Sequence, residues 1–172
     1  GNFTWSAITY GNGVFMAVAS GSTAAAYSTT GVSWTATGAL PASTTWTGVT
    51  YGNGVYVAVA SGGTQAASSA DGLTWTTRAL PTSATWSSVT YGNGYFVAVA
   101  TGGQVSAYST NGAAWTLGGT LPSSTTWCSV RYGNGRFVAI AGTGGADTAA
   151  AYSLDLGVTW TASTLPSSTT WS

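Results

Sequence analysis

Apolar residues alternate by size along short segments that return four times in this chain. The clearest segment covers residues 14–19, where Val14, Met16 and Val18 alternate with Phe15, Ala17 and Ala19. Successive side chains of a strand point to opposite faces, so this pattern predicts a strand with one bulky face and one mostly alanine face. Both faces are apolar, and both are therefore expected to be buried. No segment shows the period of an amphipathic helix.

A second strand is predicted just before this one, over residues 4–10, which are rich in β-branched and aromatic side chains. Gly-Asn-Gly separates the two strands at 11–13 and returns at 52–54, 92–94 and 133–135. Asn-Gly favours a two-residue hairpin turn, because both central positions of that turn need a positive φ. Each repeat is therefore expected to begin with a tight β-hairpin.

The whole chain is a repeat of about forty residues. A first tryptophan occurs at Trp5, Trp46, Trp86, Trp127 and Trp171, and a second occurs at Trp34, Trp75, Trp115 and Trp160. All four prolines lie in the same Leu-Pro step. Periods near forty are typical of propeller blades. We predict an all-β fold, a small β-propeller of about four four-stranded blades, in one domain over 1–172 with units at about 4–44, 45–84, 85–125 and 126–170.

The two faces of the second strand predict how the units pack. The bulky face of one unit is expected to contact the alanine face of the next, which is a head-to-tail contact that closes a ring or continues as a filament. Residues 2–6 and 168–172 occupy the same phase of the repeat. Residues 171–172 therefore begin a fifth unit of a longer array, close the ring by overlapping its start, or are donated to a neighbouring molecule.

Charged residues make up only 3% of the chain: three Arg and three Asp, with no Lys, Glu or His. Ser and Thr supply about a third of the residues. Three arginines cannot follow a phosphate backbone, so nucleic-acid binding is not expected. A net charge of zero favours self-association, because it removes the repulsion between copies. The longest apolar run is about six residues, so no membrane span is predicted.

The link between the third and fourth strands resembles the Asp-box of sialidase-like propellers, S-x-D-x-G-x-T-W. The run from Ser153 to Trp160 matches it in full, the run from Ser69 to Trp75 is one residue shorter and keeps Asp71, and the other two units carry Thr30 and Asn111 at the acidic position. The unit is also similar to repeats of bacterial surface and phage-tail propellers. This resemblance implies a β-propeller and structural turn roles for Asp71 and Asp155, whose type of side chain bonds nearby backbone N–H groups.

Catalysis and metal binding find little support in the composition. Without His, Glu or Lys the usual acids, bases and amine nucleophiles are missing, and the glutamate that the sialidase resemblance would require is absent. We therefore predict a protein that is not an enzyme and has no cofactor and no metal site. Asp147, in the longest link, could contribute to a Ca²⁺ site, but a solvated loop is the simpler interpretation.

Carbohydrate binding stays open, since sugars stack on aromatic rings and bond to amides and hydroxyls. The weak candidates are the tyrosine and asparagine of each Tyr-Gly-Asn-Gly segment: Tyr10, Asn12, Tyr51, Asn53, Tyr91, Asn93, Tyr132 and Asn134. The simpler interpretation is that each asparagine forms the turn and each tyrosine packs. Asn2 begins the N-x-[ST] sequon and is a candidate for N-glycosylation. Cys128 replaces a Ser or Thr of the other units and is expected to fill that place.

The leading functional hypothesis is a non-catalytic, extracellular or cell-surface structural or adhesive protein that self-associates head-to-tail, as a filament in one form. Its expected partner is itself. One alternative is a lectin-like propeller with one weak glycan site per blade. Another is a fragment of a larger adhesin or phage-tail propeller, in keeping with a chain that begins at Gly1 without an initiator methionine.

Overall fold

The computed structural model describes residues 2–142 and 148–166, so the predictions for Asp147 and for residues 171–172 lie outside the described residues. The described residues are all-β, as the alternation predicts, and form fourteen strands. The strands are β1 (Thr4–Gly11), β2 (Val14–Ser20), β3 (Ala25–Ser28), β4 (Thr35–Ala36), β5 (Thr45–Gly52), β6 (Val55–Ser69), β7 (Thr76–Gly92), β8 (Tyr95–Thr101), β9 (Ser106–Ser109), β10 (Thr116–Leu117), β11 (Trp127–Gly133), β12 (Arg136–Ala141), β13 (Ala149–Ser153) and β14 (Thr161–Thr164).

In the described part of the chain these strands pair into three antiparallel sheets. The first contains β1–β4 and the last contains β11–β14, each in sequence order, as expected for a four-stranded blade. The middle sheet has six strands, in the order β10-β9-β8-β7-β6-β5. The two middle units therefore share one continuous sheet, and the described residues contain no strand pair that links the first sheet to the last. The prediction of about four four-stranded blades is therefore not confirmed, since the described strands form three sheets that do not close into a ring.

The middle units merge because β6 and β7 each cover two predicted strands. After its Leu-Pro step each of the first three units returns to bridge the link between its second and third strands, through Ser22 with Thr44, Gly63 with Ala84, and Gly103 with Thr125. The first and last of these are isolated bridges. The bridge at Gly63 is joined by a further pair, Ser61 with Thr85, so that β7 runs without interruption into the next unit.

The predicted hairpin turn is confirmed in all four units. Asn12 and Gly13 have φ values of 51° and 78°, and the same pair of positive angles returns at each later Asn-Gly. Asparagine tolerates the left-handed region better than other residues with a β-carbon, and glycine adopts it without cost. The turn fixes the register of β1 on β2, in which Tyr10 lies opposite Phe15.

The predicted packing of bulky face on alanine face is also confirmed. Three apolar cores are present in the described residues, and each lies between two successive units. In the first core Met16 and Val18 contact Tyr56, Ala58 and Ala60 of the second unit. The other two cores repeat this arrangement, with Val57 and Val59 against Phe96, Ala98 and Ala100, and with Val97 and Val99 against Phe137, Ala139 and Ala141.

A tyrosine and a glycine form a second contact between units. A β-carbon added at Gly11 would overlap the ring of Tyr51, and Gly52 and Gly92 are covered in the same way by Tyr91 and Tyr132. The first glycine of each Gly-Asn-Gly therefore provides a flat surface for the ring of the next unit. At Gly133, the equivalent glycine of the last unit, no atom lies within 4 Å of the added carbon.

We expect Gly52→Ala to destabilise the protein by about 1–3 kcal/mol, because the new methyl group must displace the Tyr91 ring from a packed contact. Gly133→Ala is the matched control at concentrations where the chain is monomeric, since no atom of its own chain lies within 4 Å of the new methyl group. Chemical unfolding followed by tryptophan fluorescence measures both. Equal effects of the two substitutions would contradict the assigned role of the covered glycines.

Candidate functional site

A β-bulge at the start of each first strand directs a hydroxyl toward the next unit. The register shifts after Trp5, Trp46, Trp86 and Trp127, so the following residue is the extra one. Ser6 donates to the Trp46 carbonyl oxygen at 2.6 Å, and the equivalent hydroxyls of Thr47 and Ser87 donate to Trp86 and Trp127 at 2.7 and 2.6 Å. Each bond ties one first strand to the next.

The first unit exposes the face that is buried in every later unit. Trp46, Trp86 and Trp127 are completely buried, whereas Trp5 is 49% exposed. Ile8 is 58% exposed, although its counterparts Val49, Val89 and Val130 are buried. With Ala17 and Trp34 these residues line an apolar groove of about 580 Å³. We call this surface the Trp5 face.

The last unit exposes the opposite face. Val138 and Ile140, which follow the pattern of the buried Val97 and Val99, are each 37% exposed. Arg136 lies at the rim, with its guanidinium 5.6 Å from the centre of the Tyr152 ring. We call this surface the Val138 face. The two end surfaces of the chain thus carry the two complementary halves of one internal contact.

The candidate glycan residues lie at the four hairpin ends, one tyrosine and one asparagine in each unit. The asparagine side chains are exposed in the turns. Each tyrosine packs against an aromatic residue of its own hairpin, with ring centres 4.6–4.9 Å apart and ring planes tilted by 52–55°. Tyr51, Tyr91 and Tyr132 also cover a glycine of the preceding unit and are half-buried, whereas Tyr10 is 60% exposed. These contacts give the three later tyrosines a packing role, and glycan binding at the four positions stays a prediction.

The predicted Asp-box turns are closed by side-chain oxygens. In each turn the serine hydroxyl accepts a bond from a glycine N–H, as in the 2.8 Å bond from Gly72 to Ser69. Asp71 accepts N–H bonds from Thr74 and Leu73 at 2.8 Å, and these bonds lower the pKa of its carboxyl group. Asn111 takes the place of an aspartate and accepts the equivalent two bonds.

Asp155 occupies the longer, fully matching turn. Burial alone would raise its pKa, but bonds from the Thr159 hydroxyl, the Thr159 N–H and the Ser153 hydroxyl outweigh burial and lower the pKa. Both described aspartates are therefore held as carboxylates by the turns that they close.

The other candidate residues are dispersed. Asn2 is exposed beside the Trp5 face, and the Cys128 thiol lies 3.6 Å from the Ile140 carbonyl oxygen, in the place that Ser6 takes on Val18. The described residues contain no group of three or more acidic, cysteine or histidine side chains that could bind a metal. They also contain no helix with the length and apolarity that a membrane crossing requires.

The sequence analysis did not predict how the indole N–H of the second tryptophan in each unit is hydrogen-bonded. Trp160 donates to the Ser106 hydroxyl of the preceding unit at 3.1 Å. The indole nitrogens of Trp75 and Trp115 are buried without a bonding partner. The reason is visible in the repeat: the position of Ser106 is alanine in the two earlier units, Ala25 and Ala66. A comparison of the four units at this position would have shown it.

We expect Ser106→Ala to lower the free energy of unfolding by about 1–3 kcal/mol, because it leaves the Trp160 N–H and the Gly119 carbonyl without their partner. The reverse change, Ala66→Ser, offers Trp115 an acceptor and is expected to raise stability by about 1 kcal/mol. Denaturant unfolding measures both variants. An unchanged Ser106→Ala protein would show that this hydrogen bond contributes nothing.

The lowered aspartate pKa values predict loss of stability in acid. A group with a depressed folded pKa stabilises the fold above its unfolded pKa, about 3.9, and loses that contribution as the pH falls through the folded value. The double variant Asp71→Asn, Asp155→Asn is therefore expected to have a melting temperature that changes less with pH. The difference should appear between about pH 5 and pH 2, the range in which these two carboxyl groups take up protons on unfolding. Asn111→Asp is the opposite control and should steepen the dependence; parallel profiles for all three proteins would contradict the assignment.

Comparisons with known proteins place this geometry among solved folds. Neither a protein family nor a curated protein sequence matches the chain. A catalytically inactive histidine-to-alanine variant of virginiamycin B lyase from Staphylococcus aureus, solved with quinupristin, matches with a TM-score of 0.78 at 13% identity over 95% of this chain and 56% of that one. YCF48 bound to a D1 peptide matches with a TM-score of 0.63 at 15% identity over 93% and 52% of the two chains.

The computationally designed Ika8 protein matches with a TM-score of 0.65 at 15% identity over 91% of this chain and 47% of that one. The chain thus spans about half the length of the structures that it matches. Identities this low bear on the fold alone, and the lyase and YCF48 are β-propeller proteins. The chain therefore has a β-propeller fold built from head-to-tail units.

Proposed function

We propose that this chain is a non-catalytic, extracellular structural or adhesive propeller that self-associates head-to-tail through the Trp5 face and the Val138 face. The observation that carries the proposal is the contrast between Trp5, which is half exposed, and three equivalent tryptophans that are completely buried. An exposed tryptophan and isoleucine beside an apolar groove mark an interaction surface rather than an ordinary surface.

Charge supports the same proposal. The net charge is zero, and both end faces are mainly apolar, so approach of two copies meets little electrostatic repulsion. The surface depends on hydroxyl and amide groups for hydration, since charged residues are 3% of the chain. A composition of this kind suits a secreted or surface-bound assembly, which is the proposed location.

The absence of catalysis belongs to the proposal as well. The lyase that shares the fold is inactive when a histidine is replaced by alanine, and this chain contains no histidine. It also lacks Lys and Glu, and the two described aspartates are engaged in turns. The side chains that most often transfer protons at neutral pH are therefore missing.

Two alternatives of different kinds stand beside this proposal. A lectin-like module would use the hairpin ends, where Tyr10 is the most exposed of the candidate rings. A separate pocket of about 320 Å³ lies between the middle units, and its polar lining includes Asp71, Arg78 and Asn111, whose side chains can hydrogen-bond to sugar hydroxyls. In the second alternative the chain is a segment of a larger adhesin or phage-tail propeller, and further units of that protein cover both end faces.

We expect the purified chain to associate in a concentration-dependent manner and Ile8→Arg to reduce that association at least tenfold, because the charged side chain would be desolvated at the contact. Leu117→Arg is the control: Leu117 is similarly exposed but lies on the short outer strand β10 of the third unit. Sedimentation velocity over a wide concentration range gives the answer. A chain that stays monomeric throughout would refute self-association.

A further inference from the structure

The two end faces share more than apolar surface. For the contacts that join successive units, one partner lies unpaired on the first unit and the other partner lies unpaired on the last unit. Tyr51, Tyr91 and Tyr132 cover the glycine of the unit before them, whereas Tyr10 is exposed and Gly133 is uncovered. The last unit therefore offers an empty glycine surface, and the first unit offers the exposed ring that fills this place elsewhere.

The glycine of each turn between the third and fourth strands gives a second matched pair. Gly72, Gly112 and Gly157 approach Met16, Val57 and Val97 of the preceding unit. In the first unit the equivalent Gly31 meets only its own Phe15, and in the last unit the equivalent Val138 is exposed. This pair lies at the outer side of the interface, whereas the tyrosine pair lies at the hairpin ends.

The first strands provide a third pair near the centre. Ser88 accepts a bond from the Val130 N–H of the next unit at 3.1 Å, and a β-carbon at Gly48 would lie 3.2 Å from the Val89 nitrogen. Ser129 is the equivalent position of the last unit, and Ile8 is the equivalent of Val130 in the first. Three separate contacts thus require the same relative placement of the first and last units.

The share of the matched propellers that one chain covers indicates how many copies a ring would contain. The chain covers 52% of YCF48 and 56% of the lyase, which are β-propeller proteins, so one copy would supply about half of a ring of that length. Building on the proposed self-association, we propose that two copies close head-to-tail into one ring of eight units, with Tyr10 of each copy on Gly133 of the other and Ile8 of each copy beside Ser129 of the other.

Disulfide trapping tests this register. In a Cys128→Ser background, which restores the residue of the first and third units, the pair Ile8→Cys with Ser129→Cys is expected to oxidise to a covalent dimer that contains two disulfides and no thiol for alkylation. The pair Ser88→Cys with Val130→Cys in the same background is the internal reference, because those positions already meet within one chain. Non-reducing electrophoresis and intact-mass measurement give the readout.

Each other outcome overturns the inference in a distinguishable way. A ladder of trimers and larger species means that the ends meet but the ring of two does not close. A monomer with one internal disulfide means that four units close on themselves. Association by sedimentation without a disulfide means a different register, with the proposed function intact, whereas a protein that is monomeric and unlinked fails both proposals and leaves the faces to units of another chain.

A second variant checks the tyrosine pair without new cysteines. Gly133→Val places a branched side chain where the Tyr10 ring of the second copy is expected, and it should weaken association at least tenfold while the melting temperature of the dilute monomer stays unchanged. Association as strong as that of the same protein without this substitution would contradict the pairing of Tyr10 with Gly133.

Discussion

The hydrogen bond from the bulge hydroxyl to the next unit's tryptophan carbonyl is the constraint on which the rest of this structure depends. It brings neighbouring first strands so close that the following residue must be small, and it is Ala7, Gly48, Ser88 or Ser129 in the four units. The same closeness places Tyr51, Tyr91 and Tyr132 directly on a glycine of the preceding unit. Serine or threonine at the bulge, a small residue after it and a bare glycine at the hairpin end are therefore consequences of one distance.

Apolar burial follows from that spacing and is organised between units rather than within them. Each of the two middle units buries its bulky face on the next unit and its alanine face on the previous one, whereas each end unit buries one of its two faces, so a unit alone would expose most of its core side chains. Stability in such an array is a sum of intrinsic terms and nearest-neighbour terms. The nearest-neighbour terms dominate here, because hardly any charged group contributes and the buried side chains of each core come from two units.

Much of this fold could be predicted from local chemistry. The Asn-Gly turns, the alternation of bulky and small residues and the face-to-face packing of units all follow from rules that act within a few residues, and each is seen in the structure. The bulge could not be predicted, because Ser6 and its counterparts look like ordinary strand residues until the strand pairing is known. The role of the first glycine of Gly-Asn-Gly could not be predicted either, because the ring that packs on it comes from about forty residues further along the chain.

The continuous strand β7 has a consequence for how the protein folds and unfolds. It runs on through Leu80 and Pro81, with an irregularity in its pairing on β6 between Ala79 and Ala84, so the second and third units form one hydrogen-bonded sheet. The first and last sheets join that sheet through side chains and isolated bridges. Cooperative openings in proteins tend to follow such boundaries. The middle pair should thus be the last part of the chain to exchange its amide protons, and the two end units should detach and reattach as separate bodies on a shorter timescale. The middle sheet would then stay folded while either end unit opens and closes.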